Sequence, residues 1–492
     1  MKSYLLRGVP QSLQFDGWWL GSPPPERPRM TGATSPSPQY RIRAGALIVM
    51  VTLADLLIWQ VAPGLSLVVF GLTLLGLGWA LAGFRGTSGL ALALLFFLPM
   101  IEQAQTLSFA FWLAGLALGA AWIALARFPG LSGGLRFVLH APETVFDDAR
   151  RLPPLHVPNL RAGLTGWLLP LGLGLIFLSL FSHANPLLAS GLDHLFSFKF
   201  DLFNLERLMF WLGAAFILWP FLSLATLRHR VALGIDTPRP RALPRLFNEA
   251  SIRRSLLLFN MVFAAQTLAD LAILWGGAAL PAGMSYAQYA HRGAYPLLVA
   301  ALLAGGFALA ARPFTLQSTV LRVALMGWLL QTLFLVVSSL TRLESYISAY
   351  GLTHLRIAAL IWIGLVGVGI TLVIWQVFRH HSAAWMLKRC ALLGVGTLYT
   401  CSFFSFSATI AEYNLSHDVA PDFHYICSLD SAALPAITGF EMRMGQTYCP
   451  PSRRPELDTP KDWREWGFRD WRTARSLSKL TQSSKASQWP TY

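Results

Sequence analysis

The chain has 492 residues, 54% hydrophobic and 13% charged, with a formal net charge of +15. A soluble domain carries about 25% charged residues, so this composition excludes an ordinary soluble protein. The basic excess does not point to nucleic acid either, because Lys and Arg sit in short loops between apolar runs and not on one soluble face.

Residues 1–43 read as a disordered cytoplasmic segment. Lys2 and Arg7 are followed by Gln11, Gln14 and Asp16, not by the apolar core of a secretory signal. Residues 21–40 are rich in Pro, Ser and Arg, and Met30 is an alternative start.

A bilayer core of about 30 Å needs about 20 apolar residues as helix. Spans are predicted near 44–61, 65–83, 87–101, 107–126, 163–182, 207–227, 256–279, 294–311, 317–340, 355–378 and 388–410. The third run ends at Pro99 and Glu102, so it and the fourth form either two full spans or a re-entrant hairpin. The fold expected is an all-α polytopic transmembrane helix bundle of about 11 spans over residues 44–410, followed by a tail over 411–492.

Orientation follows from loop charge. With the N-terminus cytoplasmic, the inside loops hold Arg127, Arg136, Arg150, Arg151, Arg161, the seven arginines from Arg228 to Arg254, Arg312, Arg379, Lys388 and Arg389. The outside loops hold little more than Lys199, Arg292 and Arg342. An odd number of spans then places the tail outside. This is the pattern of a multi-pass membrane protein. Cys427 and Cys449 both fall in that exported tail, where a disulfide is permitted, with two free thiols as the alternative. The tail also holds Trp463, Arg464, Trp466, Arg469, Trp471, Arg472 and Arg475. On a helix, Trp463, Trp466 and Trp471 fall near one face. Such a segment suits a membrane surface, or packs on the external loops.

Two spans share a pattern. Thr52-Leu53-Ala54-Asp55-Leu56 precedes Trp59 and a Pro63-Gly64 turn; Thr267-Leu268-Ala269-Asp270-Leu271 precedes Trp275 and a Pro281-Ala282-Gly283 turn. Spans one to five and seven to eleven would then be parallel five-helix repeats joined by a linking helix, as many transporters have. Coincidence in a Leu- and Ala-rich chain is the alternative.

Polar residues inside spans mark function or packing. Asp55, Asn260, Gln266 and Asp270 form a candidate intramembrane path for a cation or proton; interhelical hydrogen bonding is the plainer reading. A second set converges on the outer face: Arg292, Arg356, Glu412, Asn185 and Asn414. Arginines there can bind an anionic headgroup while the acid moves a proton; interfacial anchoring explains the same placement. Glu102, Gln103 and Gln105 cluster at the outer end of the hairpin. No metal-ligand motif and no phosphate-binding loop is present, so neither a metal nor another cofactor is expected.

Several of these segments together resemble a bacterial family of integral membrane proteins known as domain-of-unknown-function 4153/4173. They include Ala184-Asn185-Pro186, Phe259-Asn260, Leu280 to Leu297, Tyr350-Gly351-Leu352-Thr353-His354-Leu355-Arg356 and Ala411-Glu412-Tyr413-Asn414. The resemblance covers roughly residues 44–440 and implies a polytopic helical fold in a bacterial inner membrane. It implies no activity.

The leading functional expectation is transport or handling of a small ion or amphiphile, with Asp55 and Asp270 on the path. The alternatives are a membrane enzyme acting on a lipid-linked substrate through Glu412, Arg356 and Arg292, and a sensor or assembly partner acting through the tail. The expected partners are the lipid bilayer, anionic lipid headgroups or a small ion, and a membrane or periplasmic protein.

Overall fold

The computed structural model describes residues 38–151, 205–232, 248–276, 286–417, 422–457 and 459–487. Every regular element among the described residues is helical. In chain order the helices are α1 Pro38–Leu57, α2 Leu65–Leu81, α3 Ser88–Glu102, α4 Thr106–Leu125 and α5 Gly130–Arg151, then α6 Leu205–Leu222 and α7 Leu224–Ala232. α8 Glu249–Asp270 runs straight into a π turn, Leu271–Trp275. α9 Tyr286–Gln317, α10 Thr319–Tyr350, α11 His354–Arg379 and α12 Ala383–Cys401 follow. The C-terminal part contains α13 Phe406–Ser416, α14 Phe423–Cys427, α15 Leu434–Met444 and α16 Phe468–Ser487.

Five stretches are long and apolar enough to cross a membrane: α4, α6, Glu249–Ile273, α10 and α11. A sixth is added if α12 and α13, bent by 67° across their break, count as one span. The chain is therefore a helical membrane protein. The described residues give five or six candidate spans where about eleven are expected. The predicted run at 163–182 lies outside the described residues, and α2 and α3 are apolar but only 17 and 15 residues long. The last predicted run, 388–410, is not one straight helix: it stops at Cys401 and restarts at Phe406.

The chain divides into two compact units. In Met1–Thr52 plus Leu139–Leu227, α6 buries Leu218, Phe221 and Leu222. The Trp219 indole there donates to Asp148 at 3.0 Å and packs beside Tyr40.

The other unit holds Leu53–Val138 and Arg228–Tyr492. Its α3–α4 hairpin is tight because Gly115 lacks a side chain: a Cβ there would lie 2.8 Å from the Phe96 Cβ. Phe97 and Trp112 fill the hairpin, and the Trp112 indole donates to the Leu67 carbonyl at 2.9 Å.

Helices α8 to α12 build a second core. Ala304, Ala308 and Ala311 recur at helical spacing, so α9 presents a flat stripe against α10. Trp328 is ringed by Phe259, Phe263 and Phe307, with centroids 4.9 to 5.5 Å away. A third core joins the ends of α10 and α11 to the tail. Ile347, Leu352 and Ile363 pack there with Ile410, Ala411, Ile426, Ile437 and the bonded pair Cys427–Cys449.

The helices after the two similar motifs do not repeat in length: α2, α3 and α4 have 17, 15 and 20 residues, α9, α10 and α11 have 32, 32 and 26.

Candidate functional site

Asp270 ends α8 with no exposed surface. An ionised carboxylate in an apolar interior needs partners, and two helices supply them. One turn back on α8, the Gln266 amide donates to Asp270 Oδ1 at 2.8 Å. From α10, Ser338 Oγ donates to Oδ2 and the Arg342 guanidinium donates to Oδ1. Ser338 and Arg342 are four apart, so they share one face of α10. The π turn begins at the next residue, Leu271, and such turns recur at functional positions.

Asn260 works at another level, about 15 Å along α8 from Asp270. Its amide donates to the Leu256 carbonyl at 2.8 Å and across to the Ala324 carbonyl at 3.0 Å. The Gln331 amide reaches Asn260 Oδ1 at 3.5 Å. Gln266 and Asp270 thus form one cluster, and Asn260 bridges the same two helices separately. Asp55 lies half-buried on α1, two residues before that helix ends.

Arg342 corrects an expectation. It is not an outside-loop cation; α10 runs to Tyr350, and Arg342 is 5% exposed.

The expected outer-face set separates. Asn414 is buried and clamps one residue: its Oδ1 accepts from the Leu352 amide at 2.6 Å and its amide donates to the Leu352 carbonyl at 2.9 Å. The Arg356 guanidinium turns back to the Tyr350 carbonyl at 2.7 Å and the Gly351 carbonyl, and lies 4.3 Å from the Tyr346 ring. Gly351, with φ +77° and ψ −178°, takes a positive-φ conformation open to glycine and ends α10. His354 opens α11 and meets the Tyr425 hydroxyl at 2.8 Å through its backbone amide. Arg356 and Asn414 therefore fasten the α10–α11 turn. Asn185 and the Arg292 side chain lie outside the described residues.

Glu412 sits elsewhere. It lines a cavity of about 470 Å³ walled by α13, α15 and α16. The same cavity is lined by Arg443, Arg469, Arg472, Ser405, Thr473 and Ser476. Its geometry begins at the break after α12. The Ser402 carbonyl in that break accepts from Arg469 at 3.2 Å and from the Gln105 amide at 3.4 Å. Arg469 also donates to Glu102 at 3.2 Å and to Gln103 at 2.6 Å, and Arg472 donates to the same Glu102 oxygen at 3.0 Å. Glu102 and Arg469 are only 7% and 4% exposed, so this is a desolvated pair satisfied on several sides. Glu412 and Arg443, both exposed, make no hydrogen bond or ion pair with any described residue. Ser405 Oγ is buried with no partner among the described residues.

The α15 wall is stiffened from behind. Cys427 and Cys449 are joined with Cα atoms 5.7 Å apart. Glu441 Oε1 accepts the amides of Tyr448 and Cys449 at 2.9 and 3.0 Å, while Arg454 donates to its other oxygen at 2.8 Å. Burial, and then the nearby Asp422 charge, push the Tyr448 phenol above its ordinary range.

The expected helical face of Trp463, Trp466 and Trp471 does not form. Residues 463–465 make a separate 3₁₀ turn, and α16 starts only at Phe468. Sequence reading also missed Ser338 and Arg342 as partners of Asp270, and Arg443, Arg469 and Arg472 as the basic wall. The one available signal was Glu102 with Gln103 at the end of an apolar run.

A family model described as a domain of unknown function, DUF4153, matches residues 69–439. No curated protein and no solved structure matches the chain. Arg443, Arg469 and Arg472 lie beyond the matched range.

Proposed function

Because the chain belongs to the DUF4153 family, whose description carries no activity, we propose a function from the site geometry: the protein handles an anionic amphiphile, whose headgroup enters the cavity between α13, α15 and α16. One observation carries this reading. A cavity of about 470 Å³ is lined by Arg443, Arg469 and Arg472, and Arg443 has no partner among the described residues. Guanidinium forks bind phosphate or carboxylate bidentately. Glu412, on the α13 wall of the same cavity, favours a headgroup that also carries a hydroxyl or amine donor. The cavity supports amphiphile handling over the small-ion alternative because it is far larger than a bare ion.

The topology that goes with this reading is the eleven-span arrangement in an inner membrane, N-terminus inside and tail outside. The loop charge asymmetry supports it. The enzyme reading loses Arg356, which is engaged with the α10–α11 turn.

The test compares wild type with Arg443→Glu in nanodiscs. Phosphatidylglycerol added to phosphatidylcholine should raise the unfolding temperature of wild type, and the variant should need about tenfold more anionic lipid for the same rise. Inorganic phosphate alone, added without anionic lipid, should give no comparable rise; saturation by phosphate would replace the amphiphile with a soluble anion. An equal rise in both proteins would overturn the site.

A further inference from the structure

Three large rings in the C-terminal part stay at the surface. Trp463, Phe468 and Trp471 are 54%, 37% and 42% exposed. Phe468 and Trp471 stack with centroids 5.5 Å apart. Arg472 lies 5.5 Å from the Phe468 ring and Arg475 lies 5.3 Å from the Trp471 ring. The polypeptide around them is fixed. The Leu65 amide donates to the Trp466 carbonyl at 3.1 Å, Arg464 donates to the Leu56 carbonyl at 2.7 Å, and Arg469 enters the Glu102 pair.

Those attachment points are the end of α1, the start of α2 and the end of α3. The rings are thus held where apolar helices terminate, the depth at which Trp and Tyr concentrate in membranes. The charge fits the same surroundings: residues 459–487 contain seven Lys or Arg and three Asp or Glu. Arg475 and Lys479 extend the basic character along α16 from Trp471.

From this placement we infer that the Trp463–Lys479 surface docks on the headgroup layer of an anionic bilayer leaflet. The rings enter the interface, and Arg475 and Lys479 meet lipid phosphates. This inference does not depend on what fills the cavity. Each cation near an anionic membrane surface strengthens docking roughly fivefold.

The experiment uses the full chain in vesicles. Cys390 and Cys401 are replaced by Ser, and a nitroxide is attached through Trp471→Cys or, in a second protein, Trp463→Cys; a label at Thr481→Cys is the water-exposed reference. Power saturation compares oxygen, which collects in lipid, with a water-soluble nickel chelate. Labels at 471 and 463 should favour oxygen over nickel, and more so when phosphatidylglycerol is added to phosphatidylcholine. Arg475→Glu with Lys479→Glu should remove the dependence on anionic lipid. Labels at 471 and 463 as open to nickel as the label at 481, in both vesicle types, would overturn the proposal. Shielding from both reagents would overturn it too, in favour of a protein contact.

Discussion

Arg342 is the side chain whose loss the helical core should tolerate least. Arg342→Ala leaves the Asp270 carboxylate buried without its guanidinium, and breaking a buried pair costs about 3–5 kcal/mol. Asp270→Asn combined with Arg342→Gln removes both charges and should recover most of that loss. Thermal unfolding in detergent measures both; equal stability of Arg342→Ala and wild type would refute the pairing. Asp462 gives a pH prediction. Hydrogen bonds from the Arg464 side chain, then from its backbone amide, hold the Asp462 carboxyl below its ordinary range. Its folded pKa is depressed, so its contribution is present above the unfolded value of about 3.9 and lost as pH falls through the folded value. Protease sensitivity of the 462–466 turn should stay flat from neutral pH down to about pH 4 and rise only below it. Asp462→Asn should show the raised sensitivity at neutral pH. At this scale the sequence was half legible. Asp270 stands out because a carboxylate inside an apolar run needs a partner from another helix or a wet cavity. Arg342 does not, because a cation near a predicted span end looks like a loop residue until α10 is seen to continue past it.

Among the elements, the break between α12 and α13 decides the site. Hydropathy runs on through Phe403 and Phe404, so nothing local announces a stop. The Ser402 carbonyl freed there is satisfied by Arg469 and Gln105, residues far away in sequence. Periodicity and composition report local preference, whereas this break is stabilised by distant donors. The caps, in contrast, are local and readable: Ser318, Thr353 and Ser382 each accept from an amide three residues on, opening α10, α11 and α12. Gly64 tests how closely the 463–465 turn is seated. A Cβ there would fall 2.6 Å from the Glu465 carbonyl carbon and 2.8 Å from the Arg464 carbonyl oxygen. Gly64→Ala should therefore lift the turn from the α1–α2 loop. Limited proteolysis after Lys461 should become severalfold faster, while α8 to α11 keep their protection. Unchanged cleavage would show that the seat has slack.

For the molecule as a whole, the class was legible because hydrophobicity needs no tertiary information. The assembly of the basic cavity was not, since its walls come from three separate helices between positions 405 and 480, and Arg469 is held there by Glu102, 367 residues away. The topology remains testable in one step. A periplasm-active reporter fused at Gln482 should be active, and a cytoplasm-only reporter at the same position silent. The reverse result would invert the orientation and place the Glu102–Arg469 cluster on the cytoplasmic side.

Glu102 and Arg469 are 367 residues apart. At ribosomal rates of about 5–20 residues per second, Glu102 waits roughly 20–70 s for its partner. Throughout that interval the hairpin end carries a carboxylate with neither Arg469 nor Arg472 in place. A product ending before Arg469 leaves the Glu102 carboxylate without either arginine partner. A stop codon at 460 should shorten cellular half-life as strongly as a core deletion, although it removes no apolar span; pulse-chase measurement of the two products would show whether it does.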